Sequence, residues 1–247
     1  MYKKFNELYW KAATAFHHIT SFGNFPEPKP PYEITTLKTL EKNLINAISE
    51  KPGKDFSKYL ISLPLSKAIK KRQSCRNFGL EPLLKDQILY ILWSAYGLKE
   101  NSSFRNVPSA GALYPLTFYI YSKSVQNLKE AFYTFYPNEV GLVQNPFSIP
   151  ANIDVWFKTT LVDYAKLSTL IIITGNWNNV CAKYGCRGYR YVLIEAGHAA
   201  QNMCLAATSM SIPHLTIGGF EDDLINNHLK LNTTNEAVVY ILALGNT

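Results

Sequence analysis

The chain has 247 residues, of which only 17% are charged, and a formal net charge of +7. Its length can bury roughly 70–75% of the unfolded surface, which points to one large domain, while so few charges to cover a monomer point to a permanent oligomer. The longest apolar run, residues 237–244, falls far short of the ~18–20 residues of a membrane span, and the start MYKKFNELYW has no apolar stretch, so neither a membrane protein nor a secretory signal is expected.

The positive charge is uneven. Residues 1–76 hold 14 Lys/Arg and 6 Asp/Glu, and residues 77–247 hold 11 and 12. That argues against a nucleic-acid-binding face and suggests a basic N-terminal arm or a local anion site near its end; lysines on the outside of N-terminal helices explain it equally. Cys75, Cys181, Cys186 and Cys204 form no CxxC pair, so they read as reduced thiols of a cytoplasmic protein or as small core residues, and no metal site is expected. There is no HExxH, GxxxxGK or GxGxxG.

In chain order, residues 5–19 read as a short helix with Phe5, Leu8, Tyr9, Ala12 and Phe16 on one face. PEPKPP at 26–31 is a stiff, extended arm. Helices are expected over 36–49, 64–71 and 85–96, the last before Gly97. Leu116–Tyr121 and Ala131–Tyr136 are aromatic-rich strands, and Ser168–Thr174 is a buried one. Gly188–Met210 is the longest helix, and its small residues Ala196, Gly197, Ala199, Ala200, Ala206 and Ala207 would let another helix approach closely. A strand at Leu215–Ile217, a helix over 221–229 and a buried strand at Glu236–Leu244 complete a mixed α+β chain in which helices outnumber strands.

Four segments can carry chemistry. In extended Arg72-x-Ser74-x-Arg76, residues two apart share a side, so two guanidinium groups and a hydroxyl could clamp a phosphate, or form a solvated basic turn. Pro108-Ser109-Ala110-Gly111-Ala112 precedes a strand; its small side chains would let backbone press against a flat ligand, or make an ordinary turn. Lys183-Tyr184 stands at a loop-to-helix junction near Arg187 and Arg190. A lysine tuned by desolvation or neighbouring cations could act as base and the tyrosine as relay, unless the cluster makes only surface contacts. Glu195 and His198, three apart on the long helix, would pair with each other or with Arg187 or Arg190 in a structural role. Finally, Gly218-Gly219 would expose backbone N–H groups after a strand, with Phe220 covering a ligand edge, or would form a turn before a helix.

Taken in order and spacing, Arg-x-Ser-x-Arg at 72–76, PSAGALYP at 108–115, KYGCRGYRYVLIEAGHAAQN at 183–202, IGGF at 217–220 and a last strand ending LALG resemble the nitroreductase superfamily, and most of all its SagB-type branch of azoline dehydrogenases in thiazole/oxazole peptide maturation. The resemblance runs over residues 60–247, leaving 1–59 as an N-terminal helical arm and extension, in which FHHITSF resembles that branch as well. It implies a nitroreductase-like α/β/α sandwich with a central, mostly antiparallel sheet, an intertwined homodimer, and FMN at the subunit interface. Arg72, Ser74 and Arg76 would hold the FMN phosphate, ribityl and pyrimidine edge. Pro108, Ser109, Ala110 and Gly111 would come to the flavin from the other subunit, and Gly218 and Gly219 would lie at its N5 side. Lys183 and Tyr184 match the catalytic Lys-Tyr pair of the azoline-oxidising branch.

Two departures stand out. Cys186 replaces an acidic residue of many relatives, and the chain ends Gly245-Asn246-Thr247 without the basic residues that ordinary nitroreductases place near the C-terminus for the phosphate. That charge would then fall to the first half of the chain, with Arg187 or Arg190. The implied reaction is loss of a proton from a thiazoline or oxazoline ring to Lys183, or to Tyr184 assisted by it, with hydride transfer to flavin N5 and reoxidation by dioxygen. Partners would be a precursor peptide and a cyclodehydratase. The competing readings are a general NAD(P)H-dependent nitro- or quinone reductase of the same fold, and a non-catalytic subunit of a modification complex.

Overall fold

The computed structural model describes residues 63–99, 102–157 and 162–246. The helices expected over 5–19 and 36–49, and the extended arm between them, lie outside the described residues. Helix α1, Leu65–Lys71, leads into the extended 72–78 segment. Strand β1, Leu83–Leu84, is followed at once by α2, Lys85–Tyr96. The Gln87 side chain accepts from the Leu84 N–H at 2.8 Å and closes the N-terminus of α2. Its buried positions Ile88, Leu89, Ile91, Leu92, Ala95 and Tyr96 follow the helical period.

A six-stranded sheet forms the centre. Its strands are β2 (Leu116–Ser122), β4 (Ala131–Tyr136), β5 (Gly141–Gln144), β6 (Thr169–Asn176), β7 (His214–Ile217) and β8 (Glu236–Leu244). They stand in the order β5-β4-β2-β6-β8-β7, every neighbouring pair antiparallel. A small parallel pair joins β1 to β3, Val125–Gln126. Three more helices follow β6 or β7: α3 (Asn178–Tyr184), α4 (Arg187–Ser209) and α5 (Asp222–His228). Among the described residues strands outnumber helices; the expected excess of helices counted those over 5–19 and 36–49, which lie outside these residues. The strands added to the expected set, β1, β3 and β5, have two to four residues and are too short for a hydrophobic period to reveal.

β6 reads as an unbroken apolar run because both its faces are covered. Ile171 and Ile173 join Phe118 and Ile120 of β2 in the core beneath α2 and α4. Leu170 and Ile172 join Phe132, Trp156 and Ile225 of α5 on the other side. The result is a three-layer α+β sandwich, with the small residues Ala196, Ala199, Ala200, Ala206 and Ala207 of α4 all buried. The close approach they permit is to the protein's own α2, where Asn202 donates to the Ser94 carbonyl at 3.2 Å.

Candidate active site

One end of the sheet gathers the chemistry. There β2 begins, β6 ends opposite the start of β8 (Asn176 against Glu236), and the Asn176 N–H donates to Pro115 O at 2.9 Å. The loop before β2 is tightly wound. Gly111, Ala112 and Tyr114 all have positive φ, at 61°, 55° and 49°. For Ala and Tyr this region is costly, and a non-glycine residue stays there only when its surroundings hold it. The Ser109 hydroxyl accepts from the Tyr114 N–H at 2.9 Å, and the Tyr114 hydroxyl accepts from the Arg105 N–H at 3.0 Å.

Lys183 and Tyr184 close α3, which stops because Gly185 adopts φ 62°. The expected loop-to-helix junction is thus a junction between two helices, and the sequence signal for the end of the first is Gly185 itself. Both side chains come to Gly111. A Cβ built there would lie 2.6 Å from Lys183 Nζ and 2.6 Å from Tyr184 Oη. The amine and the phenol are therefore close neighbours over a bare patch of backbone, and the lysine stands 5.6 Å from the Tyr184 ring centroid. Gly111 and Lys183 are exposed and Tyr184 is half-buried. Two motifs that lie 72 positions apart in sequence thus form one site.

Glu195 departs from expectation. It is 2% exposed on the inner face of α4, whereas His198 is exposed. Its partners are Tyr96, whose hydroxyl donates to Glu195 Oε1 at 2.6 Å, and Ser109. Burial pushes the Glu195 carboxyl up from the usual range, against hydrogen bonds from Ser109 and Tyr96 and the nearby Arg105 charge. Arg105 lies over the Tyr96 and Tyr114 rings, 4.8 and 5.2 Å from their centroids. The Ser109 hydroxyl is thus turned into the protein, and the exposed part of the loop is Pro108, Gly111 and Ala112. Sequence reasoning missed Tyr96 and Arg105; an acid on the buried face of an otherwise apolar helix was the signal that a hydroxyl partner awaited it.

The Arg72–Arg76 segment sits at the opposite end of the sheet. Cys75 N–H donates to the His214 carbonyl at 2.8 Å, and His214 pairs with Leu244. Lys71, Gln73 and Cys75 line a 270 Å³ pocket with Ser211 and His214, and Arg72, Ser74 and Arg76 lie outside its lining, as two-residue alternation requires. The Arg72 charge reaches His214, whose burial holds its imidazole below the usual value. Gly218 and Gly219 leave the far end of β7, an edge strand, and are exposed; a Cβ at 219 would meet nothing within 4 Å. Phe220 does not cover a ligand edge. It is 5% exposed and bridges Phe157 in the core. Within one chain the arginine segment and the Gly111 seat are therefore kept apart. Among the described residues no cluster of His, Cys, Asp and Glu could hold a metal, and no helix is long and apolar enough to cross a membrane.

Comparison with known proteins gives the family of the chain. The sequence profile of the Nitroreductase family matches residues 69–246. A Methanocaldococcus jannaschii protein named as a nitroreductase is 32% identical over 176 residues, 68% of this chain and 85% of that one. In fold, the chain is similar to one in the Escherichia coli microcin synthetase McbBCD complex with truncated pro-MccB17 bound, with TM-score 0.62, 20% identity, and 96% of this chain and 92% of that chain covered. It is also similar to a nitroreductase-named protein from Exiguobacterium sibiricum in complex with FMN, with TM-score 0.53, 16% identity, and 75% and 89% covered. At these identities the two structural likenesses are likenesses of fold.

Proposed function

Since the chain belongs to the nitroreductase family, and is thus of an oxidoreductase lineage, we propose that it is an FMN-dependent dehydrogenase that oxidises thiazoline or oxazoline rings of a ribosomal peptide to azoles. The observation that carries this reading is the convergence of Lys183 Nζ and Tyr184 Oη on Gly111. An amine and a phenol side by side at an exposed, strained loop form a proton-handling pair. The fold likeness to the microcin synthetase chain, which spans nearly all of both chains, supports the direction of the reading.

The residues fit FMN. Arg72, Ser74 and Arg76 supply cationic and hydroxyl donors for the phosphate and ribityl chain. Gly219 is open above its Cα and Gly218 has one ordinary contact there, Tyr240 at 3.8 Å, which leaves room for a flat ring against backbone. Between them runs β7, whose four residues span about 13 Å at ~3.3 Å each, a length suited to an extended FMN. Because the Gly111 loop of the same chain lies at the other end of the sheet from the arginines, a second copy of the chain brings Pro108–Gly111, with Lys183 and Tyr184, over the ring. That copy also excludes water from Lys183, which is exposed in the single chain. FMN, when bound, supplies the acceptor for the hydride that leaves the azoline. Lys183 takes the α-carbon proton, Tyr184 orients or relays it, and the Gly111 backbone fixes their height. A cyclodehydratase that makes the azoline is the partner this chemistry requires.

The test uses purified protein, FMN and an azoline-bearing peptide under air. Loss of two hydrogens per ring by mass spectrometry is the expected result. An FMN-loaded protein that leaves the azoline intact but is bleached rapidly by NADPH without oxygen would mark a reductase instead. A protein that stays colourless with added FMN would mark a non-catalytic subunit. Gly111→Ala is expected to retain the fold at a cost of about 1 kcal/mol for its positive φ. It should slow azoline oxidation at least about tenfold, because its methyl occupies the Lys183 and Tyr184 seat; thermal melts and steady-state rates check both.

A further inference from the structure

Backbone amides at the end of the Gly111 loop feed two hydroxyls that both point at one buried carboxylate. Leu116 N–H donates to Tyr96 Oη at 3.1 Å, and the Tyr96 hydroxyl donates its proton to Glu195 Oε1 at 2.6 Å. Tyr114 N–H donates to Ser109 Oγ at 2.9 Å, and the Ser109 hydroxyl spends its own proton on Glu195. Each hydroxyl accepts from an amide that can only donate and keeps its own proton for Glu195, whose two carboxylate oxygens accept from both sides; glutamine would offer one accepting oxygen in place of two. The same loop holds Gly111, Ala112 and Tyr114 at positive φ, and Gly111 is the surface on which Lys183 and Tyr184 rest.

We propose that Glu195 is a positioning residue: through Ser109 and Tyr96 it clamps both ends of the strained 109–116 segment, and so sets the place of Lys183 and Tyr184. This inference rests on the azoline dehydrogenase reading for its kinetic half only. Glu195 touches neither member of the pair; it reaches them through the loop backbone. Arg105, packed on the Tyr96 and Tyr114 rings and donating from Nη1 to the Tyr96 carbonyl at 3.0 Å, supplies a countercharge from the loop side.

The test compares FMN-loaded wild type with Glu195→Gln, Ser109→Ala, the double variant, and Ser109→Thr, which keeps the hydroxyl. The first readout is amide deuterium exchange over 111–114, which needs no substrate. Exchange should quicken about tenfold in Glu195→Gln and in Ser109→Ala, the scale of one charge-assisted hydrogen bond, and should stay at the wild-type rate in Ser109→Thr. The second readout is azoline turnover. In Glu195→Gln, kcat should fall about tenfold with a smaller change in KM, because loosening the loop chiefly costs the geometry of the proton acceptor. The double variant should be no slower than the worse single one, since both cuts sever one path. Unchanged exchange in Glu195→Gln overturns the proposal, and so does quickened exchange with an unaltered kcat, or additive losses in the double variant. If wild type does not oxidise azolines, the functional reading fails, and the exchange pattern alone decides whether Glu195 holds the loop. Should Glu195→Gln not fold, Ser109→Ala against Ser109→Thr carries the same comparison.

Discussion

Lys183→Ala should abolish azoline oxidation and leave almost everything else in place. A positioned general base contributes about 10²–10⁴-fold to a rate, and kcat should fall by about that factor. The fold should hardly notice. Lys183 is exposed at the last turn of α3, and its side chain rests on Gly111 and near the Tyr184 ring rather than in either core. The candidate FMN contacts, Arg72 to Arg76 and Gly218-Gly219, belong to other elements. The variant should therefore stay yellow, melt with the wild type and bind the peptide with an unchanged KM. Tyr184→Phe separates the two roles: it keeps the ring that stacks edge-on against Tyr191, 5.2 Å between centroids, and removes only the hydroxyl. A partial loss there beside a complete loss in Lys183→Ala assigns proton removal to the amine. Steady-state turnover, flavin absorbance and a thermal melt on each variant suffice, and more than a tenth of the wild-type kcat in Lys183→Ala would remove the lysine from the reaction.

How much of this could be read from the sequence depended on the range of the interactions involved. The 85–96 helix and the 236–244 strand have their expected bounds, because each carries a full hydrophobic pattern with its own stop signal. Apolar β6 was legible for the same reason, although its run could not say that both faces are covered. Elements with little apolar pattern were not legible. α3 is seven residues with Val180 as its buried residue, and β5 is four residues at a sheet edge. The partners of Glu195 were hidden for a different reason. Spacing along α4 offered His198 and Arg190, whereas Tyr96 comes from 99 residues away through the packing of α2 on α4. A buried acid announces that it needs a donor; it does not say from where.

The site followed the same division. The sequence identified the glycine, the lysine and the tyrosine as residues of interest, each inside a short motif. Their meeting at one point is a product of the sheet: the β2 and β6 pairing brings the chain before Pro115 to the end of β6, and α3 begins two residues after β6 stops. The same pairing explains why Arg72–Arg76, tied to the start of β7, cannot share that end. On the proposed reading, a second copy of the chain would bring the Gly111 seat to a cofactor held by the arginines, the arrangement expected from a sequence with 17% charged residues.

The position of α3 hangs on a second glycine, and Gly188→Val is expected to be the most damaging single exposure of that dependence. Gly188 lies in the first turn of α4, is buried, and donates its N–H to the Gly185 carbonyl at 2.9 Å. A Cβ there would lie 2.6 Å from Cys181 N, 2.7 Å from the Val180 carbonyl carbon and 2.8 Å from Cys181 Cα. All three are backbone atoms of α3, which cannot swing aside as a side-chain tip can. Relief requires α3 to move off α4, and α3 ends in Lys183 and Tyr184. Overpacking of this kind costs about 1–3 kcal/mol for added methylenes, and a branched side chain against backbone belongs at the upper end, lowering Tm by about 6–12 °C at ~2–4 °C per kcal/mol for a domain of this size. Gly188→Ala makes the sharper comparison. Alanine carries the Cβ that strikes the same backbone atoms but none of valine's branched bulk, so its Tm should fall less than in Gly188→Val while its turnover falls as well. Azoline oxidation should drop at least about tenfold in both, through displacement of the base, so the rate loss would not scale with the loss of stability. Wild-type rates in both variants would mean that α3 and α4 do not meet at Gly188, and Lys183 would lose the support that brings it to Gly111.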